Sequence, residues 1–304
     1  MTTILDRLPS GARVAVIRLR SLGDCVLTTP ALHLLKCARP DLKLAVVVED
    51  AFAPLFEGNP DIENTLSPST AEIARLHPEL VVNLHGGNSS AKLTFSSRAR
   101  LRAGFTHFRF SALYNVRIPT AQQILKVHRK VHTAEHLASA VFFLGVPIRE
   151  IPRAKLFTSP ATRSAPFAVI HPVASAADKT WPAANFKKVA EDLAGDFKPV
   201  FIAGPGESLA EFSDYECIAG APLTQIKSLL AGASLFIGND SGPAHMAAAF
   251  GVPTIVLFGP SDHEIWAPWK TESAVLKSDD IAKIEVAQVL EAVQRLATAA
   301  RGAS

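Results

Sequence analysis

The sequence predicts two doubly wound α/β domains, and two observations lead to this expectation. Short β-branched runs such as RVAVIRL (13–19) alternate with helical patterns in both halves of the chain, as parallel strands and their crossover helices do. A proline-rich stretch at about 146–166 interrupts the alternation, which is typical of a linker. Because 304 residues are also many for one core, we expect an N-terminal domain at 1–150 and a C-terminal domain at 151–304.

The first half contains two further strand segments, KLAVVVE (43–49) and ELVVNLHG (79–86). Both are short and rich in Val and Leu, as expected for strands buried on both faces. A helical pattern that ends in Gly145 and then Pro147 carries the usual stop signals. The helices predicted in this half lie at about 24–38, 51–57, 69–77, 88–99 and 128–145.

The second half repeats the alternation. Its predicted strands are FAVIHP (167–172), KPVFIAGP (198–205), SLFIGND (234–240) and PTIVLFGP (253–260). Its predicted helices lie at about 183–195, 223–232, 243–250 and 281–299, with another beginning near 207. The last helix either closes this domain or packs back on the first. Since open α/β sheets bind ligands at the carboxyl ends of their strands, we expect the functional residues in the loops that follow them.

The composition is that of a folded globular protein. Hydrophobic residues make up 48% of the chain, and the mean hydropathy is +0.20. No apolar run approaches the roughly 20 residues that a membrane-spanning helix needs. The first residues, MTTILDRLPSG, do not resemble a signal peptide. Three scattered cysteines lack metal-ligand spacing and fit a reducing cytoplasm, so we expect a cytoplasmic protein.

The charge is unevenly distributed between the halves. Residues 1–150 contain 18 Lys and Arg against 12 Asp and Glu, whereas residues 151–304 contain 13 against 16. A basic first half favours an anionic partner, although each basic run taken alone is more typical of a solvated helix face. No nucleic-acid-binding motif accompanies the charge, so we expect no nucleic acid partner.

The stretch SLGD (21–24) directly follows the first predicted strand. Ser21 and Asp24 have the spacing of a capping box, in which a serine and a carboxylate three residues later begin a helix. Asp24 also stands where α/β proteins place their ligands, and a carboxylate at that position can act as a general base. The local pattern is compatible with both interpretations.

Three loops of the second half carry the residues of a nucleotide-diphosphate site: HPVASAADKTWP (171–182), AGPGE (203–207) and GNDSGPAH (238–245). Small residues at a helix N-terminus let backbone N–H groups approach a phosphate, whose charge the helix dipole favours. Lys179 can add a positive charge, and Glu207 can accept hydrogen bonds from a ribose. Taken singly, each of these residues has a simpler interpretation: Asp240 or Ser241 can be an N-cap, and Lys179 can be a surface lysine.

The pattern excludes a P-loop and disfavours several other kinds of site. The chain lacks a G-x-G-x-x-G dinucleotide motif after its first strand, a P-loop and a G-x-S-x-G nucleophile elbow. His128, His132 and His136 share the spacing of one helix face, but no acidic or cysteine partner accompanies them, so a basic helix face is the safer interpretation and we expect no metal. An Asp-x-Asp pair is also absent, which disfavours a metal-held diphosphate.

These loops together resemble glycosyltransferase family 9, the ADP-heptose:lipopolysaccharide heptosyltransferases and their relatives. The resemblance covers nearly the whole chain and is carried by RSLGDCVLTTPAL, NLHGG, DKTWP, AGPGE and GNDSGPAHMAAAFGVPTIVLFGPSD. It implies a GT-B fold, two Rossmann-like domains that face a central cleft, with the acceptor on the N-terminal domain and the nucleotide-sugar on the C-terminal one. It also implies inverting transfer without a metal ion.

The resemblance assigns roles to individual residues. Asp24 matches the general base, and we place Ser21, Arg18 and His85 on the acceptor side. The expected donor-binding residues are Ser175, Lys179, Glu207, Asp240, Ser241, Gly242 and His245. Lys179 matches the lysine on the diphosphate, and Glu207 matches the acidic residue on the ribose. The chain departs from the family at Ala174, where well-known members have a phosphate-binding threonine.

The sequence therefore predicts an inverting, metal-independent glycosyltransferase that needs no cofactor. The expected donor is ADP-heptose, and the expected acceptor is an anionic glycan or glycolipid of lipopolysaccharide-core type, reached by peripheral contact with the inner membrane. Two alternatives stay open: a nucleotide-sugar-binding protein without transferase activity, and a nucleotide-sugar epimerase of similar fold.

Overall fold

A computed structural model describes residues 2–302, and it describes the surroundings of the side chains for residues 2–296. The chain divides into two compact units, residues 1–157 and 158–304. Within the described residues no helix is both long enough and apolar enough to cross a bilayer.

The first unit is built on a six-stranded parallel sheet with strand order β3-β2-β1-β4-β5-β6. The strands are β1 (Arg13–Ile17), β2 (Lys43–Val47), β3 (Asn64–Leu66), β4 (Leu80–Asn83), β5 (Leu101–Phe105) and β6 (Val116–Ile118). The helices are α1 (Leu22–Ala38), α2 (Thr70–Leu76), α3 (Asn88–Ser96), α4 (Ala121–Leu125) and α5 (Thr133–Leu144). The inner strands are almost wholly buried, which explains their β-branched composition.

The second unit repeats this architecture with strand order β12-β11-β10-β7-β8-β9, again all parallel. The strands are β7 (Phe167–His171), β8 (Lys198–Ala203), β9 (Glu216–Ala219), β10 (Leu235–Asn239), β11 (Thr254–Phe258) and β12 (Ser273–Lys277). The helices are α6 (Ala183–Leu193), α7 (Leu223–Gly232), α8 (Gly242–Phe250), α9 (His263–Trp266) and α10 (Val286–Gly302).

Each sheet has one point where the strand order reverses. In the first unit the chain winds outward from β1 through β2 to β3 and then returns to β4 on the other side of β1. In the second unit β7 and β10 are the corresponding neighbours. Ligands of open α/β sheets bind at this switch point, beyond the carboxyl ends of the two strands. We therefore expect the binding and catalytic residues in the loops after β1, β4, β7 and β10.

The sequence missed the short strands of both sheets. Three-residue strands such as β3 and β6 are too brief to show a hydrophobic period, and β3 is largely exposed. Strand β5 escaped attention because its residues, LRAGF, stand in an arginine-rich run. The other missed strands are β9 and β12, each half exposed.

Some predicted helix boundaries were wrong. The pattern at 51–57 is a 3₁₀ segment, Asp50–Leu55, with Pro54 inside it, and the helix expected near 207 is a 3₁₀ turn at Ala210–Phe212. Helix α5 begins at Thr133, not near 128, because His132 and Glu135 form a capping box that fixes its start. The three histidines of this region therefore do not share a helix face.

The last helix packs within the second unit. The buried residues of α10, Val289, Ala292, Val293 and Leu296, belong to the same hydrophobic cluster as Trp181. The Trp181 ring is completely buried, and its Nε1–H donates to the carbonyl of Ile284 at 2.9 Å. These contacts anchor the end of the loop at 172–182 to the core of the sheet.

Candidate active site

In the first unit, Asp24 lies in the first turn of α1 at the switch point. The capping box expected from SLGD is present: Asp24 Oδ2 accepts hydrogen bonds from the backbone N–H of Ser21 at 3.2 Å and from its hydroxyl at 3.1 Å. The second carboxylate oxygen, Oδ1, forms an ion pair with the guanidinium of Arg18. Both side chains of this pair are mostly buried, at 12% and 14% exposure. The structure thus brings two of the expected acceptor-side residues, Ser21 and Arg18, together with Asp24.

Arg18 is itself held in place from the neighbouring strand. Its Nη1 donates to the carbonyl of Leu84, directly after β4, at 2.5 Å. The arginine therefore joins the loops after β1 and β4, which are the two strands of the switch point. Because Arg18 is held by both loops, its ion pair with Oδ1 of Asp24 fixes the direction of the Asp24 carboxylate.

His85 stands at the end of β4, beside Arg18. Burial is the largest effect on its imidazole and lowers its pKa below the usual 6.5, and the charges of Arg18 and Arg20 lower the pKa further. The ring is therefore neutral at neutral pH, and one of its nitrogens can accept a hydrogen bond.

A buried asparagine that the sequence analysis did not single out holds the His85 loop. Asn83, completely buried at the end of β4, accepts hydrogen bonds from the backbone N–H groups of His85 at 2.9 Å and Gly86 at 3.0 Å. Its amide nitrogen donates to Thr94 at 3.1 Å and to the Tyr114 hydroxyl at 2.9 Å. Because Asn83 binds the two backbone N–H groups of the loop and is itself held by Thr94 and Tyr114, this side chain fixes the loop.

Gly86 has no acceptable substitute at this turn. Its φ is +80°, and a Cβ there would lie 2.5 Å from the ring of Phe108. The Phe108 ring therefore packs directly on the backbone next to His85.

Two more histidines, His107 and His136, lie near Arg18 and Asp24, and neither was predicted as a site residue from the sequence. His136 of α5 stacks on Phe105 with ring centroids 4.2 Å apart, and its ring lies 5.7 Å from that of His107. Burial lowers the pKa of His136 to about 4, with smaller contributions from His107 and Arg18. His136 is thus a neutral aromatic ring close to the Arg18–Asp24 pair, and not part of a solvated basic face.

In the second unit, a completely buried asparagine at the end of β10 clamps the loop at 172–182. Asn239 donates to the carbonyl of Pro172 at 3.0 Å and accepts from the backbone N–H of Trp181 at 3.0 Å, so one side chain binds both ends of the loop. β10 neighbours β7 as β4 neighbours β1, so Asn239 and Asn83 occupy corresponding positions in the two units. Neither asparagine is predicted from the sequence as a functional residue, although the motifs NLHG and GND contain them.

The clamped loop carries two of the expected donor-binding residues. Ser175 is exposed, and Lys179 ends a 3₁₀ turn, Ala177–Lys179. The loop approaches β11 closely, because a Cβ on Gly259 would lie 2.6 Å from the carbonyl oxygen of Asp178. A glycine at this position is therefore required for the loop to take its present path.

Asp240, Ser241 and Gly242 form the start of α8. Ser241 is the N-cap residue with extended backbone, and Gly242 and Pro243 open the helix. Burial raises the pKa of Asp240, while the nearby Ser261 hydroxyl and the positive charge of Lys179 act in the opposite direction. The positive charge of Lys179 thus acts on the carboxylate that directly precedes this helix.

Glu207 and His245 complete the expected donor set. The Glu207 carboxylate turns back on its own loop, where its Oε2 accepts from the backbone N–H of Gly204 at 2.5 Å, and the side chain stays partly exposed. His245 lies one turn into α8 and is buried, with its ring centroid 6.4 Å from that of Trp266. Its surroundings are those of a core histidine.

Arg18, Ser21, Asp24 and His85 follow the two switch-point strands of the first unit, β1 and β4. In the second unit Ser175, Lys179, Asp240, Ser241 and Gly242 follow β7 and β10, whereas Glu207 follows β8 and His245 is buried within α8. Within residues 2–302 no group of three or more His, Cys, Asp or Glu side chains is arranged to hold a metal ion. The roles of the individual residues remain predictions.

The chain resembles known proteins in sequence and in fold. Residues 73–291 match the profile of Glycosyltransferase family 9 (heptosyltransferase). The "Lipopolysaccharide heptosyltransferase 3" of Escherichia coli is 28% identical, over 83% of this chain and 84% of that protein.

The solved structures agree with the expected fold class. A family 9 glycosyl transferase from Veillonella parvula superposes with a TM-score of 0.82 at 22% identity, covering 94% of this chain and 97% of that one. The E. coli heptosyltransferase WaaC with ADP superposes with a TM-score of 0.78 at 21% identity, covering 93% and 99%. Two Rossmann-like units of the GT-B class, as predicted, are thereby confirmed.

Proposed function

Because this chain belongs to glycosyltransferase family 9, we propose that it transfers a heptose from ADP-heptose to an anionic glycan of the lipopolysaccharide-core type, with inversion and without a metal ion. The observation that carries the proposal is the arrangement at the second switch point. The loop that ends at Lys179 follows β7, Asp240 and the N-terminus of α8 follow the neighbouring β10, and the positive charge of Lys179 acts on Asp240.

This arrangement suits the diphosphate of a nucleotide-sugar. The first N–H groups of α8 have no partners within the helix, and the helix dipole favours a negative charge at that end. Lys179 adds a positive charge close by. As the sugar leaves the diphosphate in the transition state, negative charge grows on the phosphate oxygens, and preformed donors at this position stabilise it.

Glu207 provides a binding group for the ribose. Its Oε2 atom is already bonded to the backbone of Gly204, which orients the carboxylate and leaves Oε1 to accept hydrogen bonds from sugar hydroxyls. The choice of adenine is taken from the relatives, which are named lipopolysaccharide heptosyltransferases and include a structure with ADP.

Asp24 is the proposed general base on the acceptor hydroxyl. Oδ2 is the oxygen concerned, since Oδ1 is engaged by Arg18. An acceptor hydroxyl that replaces the Ser21 hydroxyl at Oδ2 would form the hydrogen bond along which its proton leaves as the hydroxyl attacks the donor sugar. The excess of basic residues at 1–150 supports an anionic acceptor and peripheral contact with an anionic membrane surface.

Nucleotide binding to the full chain tests the donor assignment. A ligand that binds only the folded protein raises the melting temperature by mass action. We expect ADP to raise it, and UDP, GDP and CMP to raise it less at equal concentration. A Lys179→Met variant should lose most of the ADP effect, whereas Lys188→Met, an exposed lysine on α6, should keep it. Equal stabilisation by UDP would refute the donor assignment.

A further inference from the structure

One buried histidine at the second switch point has no role in the function proposed so far. His171 is the last residue of β7, and its side chain is only 7% exposed. Its Nδ1 atom lies 3.1 Å from the Ser241 hydroxyl oxygen, and its Nε2 atom lies 3.9 Å from Glu207 Oε2. The ring thus stands between the residue at the phosphate-binding helix and the residue assigned to the ribose.

The backbone of the two central strands fixes the position of this ring. β7 and β10 pair so that His171 lies beside Gly238, and a Cβ on Gly238 would approach the carbonyl oxygen of His171 to 2.9 Å. A larger residue would push the strands apart and displace the end of β7. The glycine therefore keeps His171 close to the N-terminus of α8.

The imidazole is neutral and can therefore donate only one hydrogen bond. Burial lowers the pKa of His171 to about 4. A neutral ring carries its single N–H on Nδ1 or on Nε2, and the contacts decide between the two. The Nδ1 contact has hydrogen-bond length, whereas 3.9 Å is too long for a hydrogen bond from Nε2 to Glu207. The Nδ1 contact fits a hydrogen bond in either direction, but with the hydrogen on Nδ1 no N–H is left at Nε2 without a hydrogen-bond partner, which favours this tautomer.

We propose that His171 is a positioning residue of the nucleotide-sugar site, which turns the Ser241 hydroxyl into a donor toward the diphosphate. When Ser241 Oγ accepts from His171 Nδ1–H, its own hydrogen is free to point to a phosphate oxygen. The opposite tautomer would take the Ser241 hydrogen and turn oxygen lone pairs toward the anion. Because Nε2 makes no bond to Glu207, that carboxylate stays available for the ribose. This inference rests on the proposed function and adds a residue to its donor site.

Two conservative variants separate this role from a purely structural one. The amide nitrogen of asparagine stands about where Nδ1 of histidine does, so His171→Asn keeps a donor to Ser241. The amide of glutamine stands nearer the Nε2 position, so His171→Gln loses that donor while it keeps a polar side chain of similar size. His171→Ala removes both.

The experiment measures the affinities of ADP and adenosine for the full chain by calorimetric titration. Adenosine contains the ribose but no phosphate. We expect His171→Gln and His171→Ala to weaken ADP about tenfold, which is the usual worth of one hydrogen bond to a charged group, and to leave adenosine unchanged. His171→Asn should bind ADP within about twofold of the wild type, since it makes the same bond. In a Ser241→Ala background, His171→Gln should have no further effect.

The other outcomes overturn the inference in distinguishable ways. If all three variants weaken ADP and adenosine equally, or if His171→Gln still weakens ADP in the Ser241→Ala background, His171 is a structural residue and the proposed function is unaffected. If the wild-type chain binds no ADP at all, the proposed function fails and this inference fails with it.

Discussion

Replacing Asn239 should damage nucleotide binding although this side chain is completely buried. Leucine has a similar size but neither donates nor accepts, so Asn239→Leu leaves the N–H of Trp181 and the carbonyl of Pro172 without partners in the interior. An unsatisfied buried group costs about 1–3 kcal/mol, so the second unit should lose roughly 2–6 kcal/mol of its free energy of unfolding. Asn239→Asp keeps the acceptor for Trp181 but loses the donor to Pro172, and it serves as a second variant if the first does not fold.

Asn83→Leu is a matched control, because Asn83 is equally buried at the corresponding position of the first unit. Urea unfolding followed by circular dichroism measures the stability of each variant, and calorimetric titration measures ADP affinity. We expect both asparagine variants to be destabilised, but we expect only the Asn239 variants to bind ADP weakly, because only they release the loop that carries Lys179. Wild-type ADP affinity in folded Asn239→Asp, or an equal loss of affinity in Asn83→Leu, would refute this reasoning.

Three further predictions concern the two switch points. Asp24→Asn should lower the transfer rate about 10²- to 10⁴-fold, as expected for loss of a general base, while ADP titration gives an unchanged affinity; near-normal turnover would exclude the base assignment. His136 has its pKa lowered from 6.5 to about 4 by burial, so the wild type should lose stability as the pH falls between these values, by up to about 3 kcal/mol. His136→Phe should flatten that part of the pH–stability curve measured by urea unfolding, and an unchanged slope would show that this ring is not buried in its neutral form. Gly259→Ala places a Cβ against the carbonyl of Asp178 and should weaken ADP binding, whereas Gly195→Ala, with nothing within 4 Å, should not; equal affinities in the two variants would mean that the loop path does not matter.

The sequence predicted the fold class because the inner strands of both sheets are buried on both faces. Such strands are short continuous apolar runs. The helices between them have recognisable ends, such as Gly145 after the last residue of α5 and Pro243 in the first turn of α8. The outer strands are half exposed or only three residues long, so they show no pattern of their own and form because a neighbouring strand offers them hydrogen bonds.

The residues of the candidate site could be predicted where a polar or charged side chain stands directly after a strand. Asp24, Lys179 and Ser241 stand in loops directly after strands, and the resemblance to a family gave each a role. Asn239 and His171 act through residues that are distant in sequence, such as Ser241, 70 positions from His171, and Asn83 is held by the distant Tyr114. Only the sheet brings these partners together. The one available signal was that an asparagine ends a strand in both NLHG and GND.

The most direct test of the whole account is the release of ADP from ADP-heptose by the full chain, with and without a lipopolysaccharide-core acceptor. We predict that ADP release depends on the acceptor, that a heptose is added to the acceptor with inverted anomeric configuration, and that Asp24→Asn slows both about 10²- to 10⁴-fold. A sugar product formed without any acceptor, or no transfer by a chain that binds ADP tightly, would contradict it.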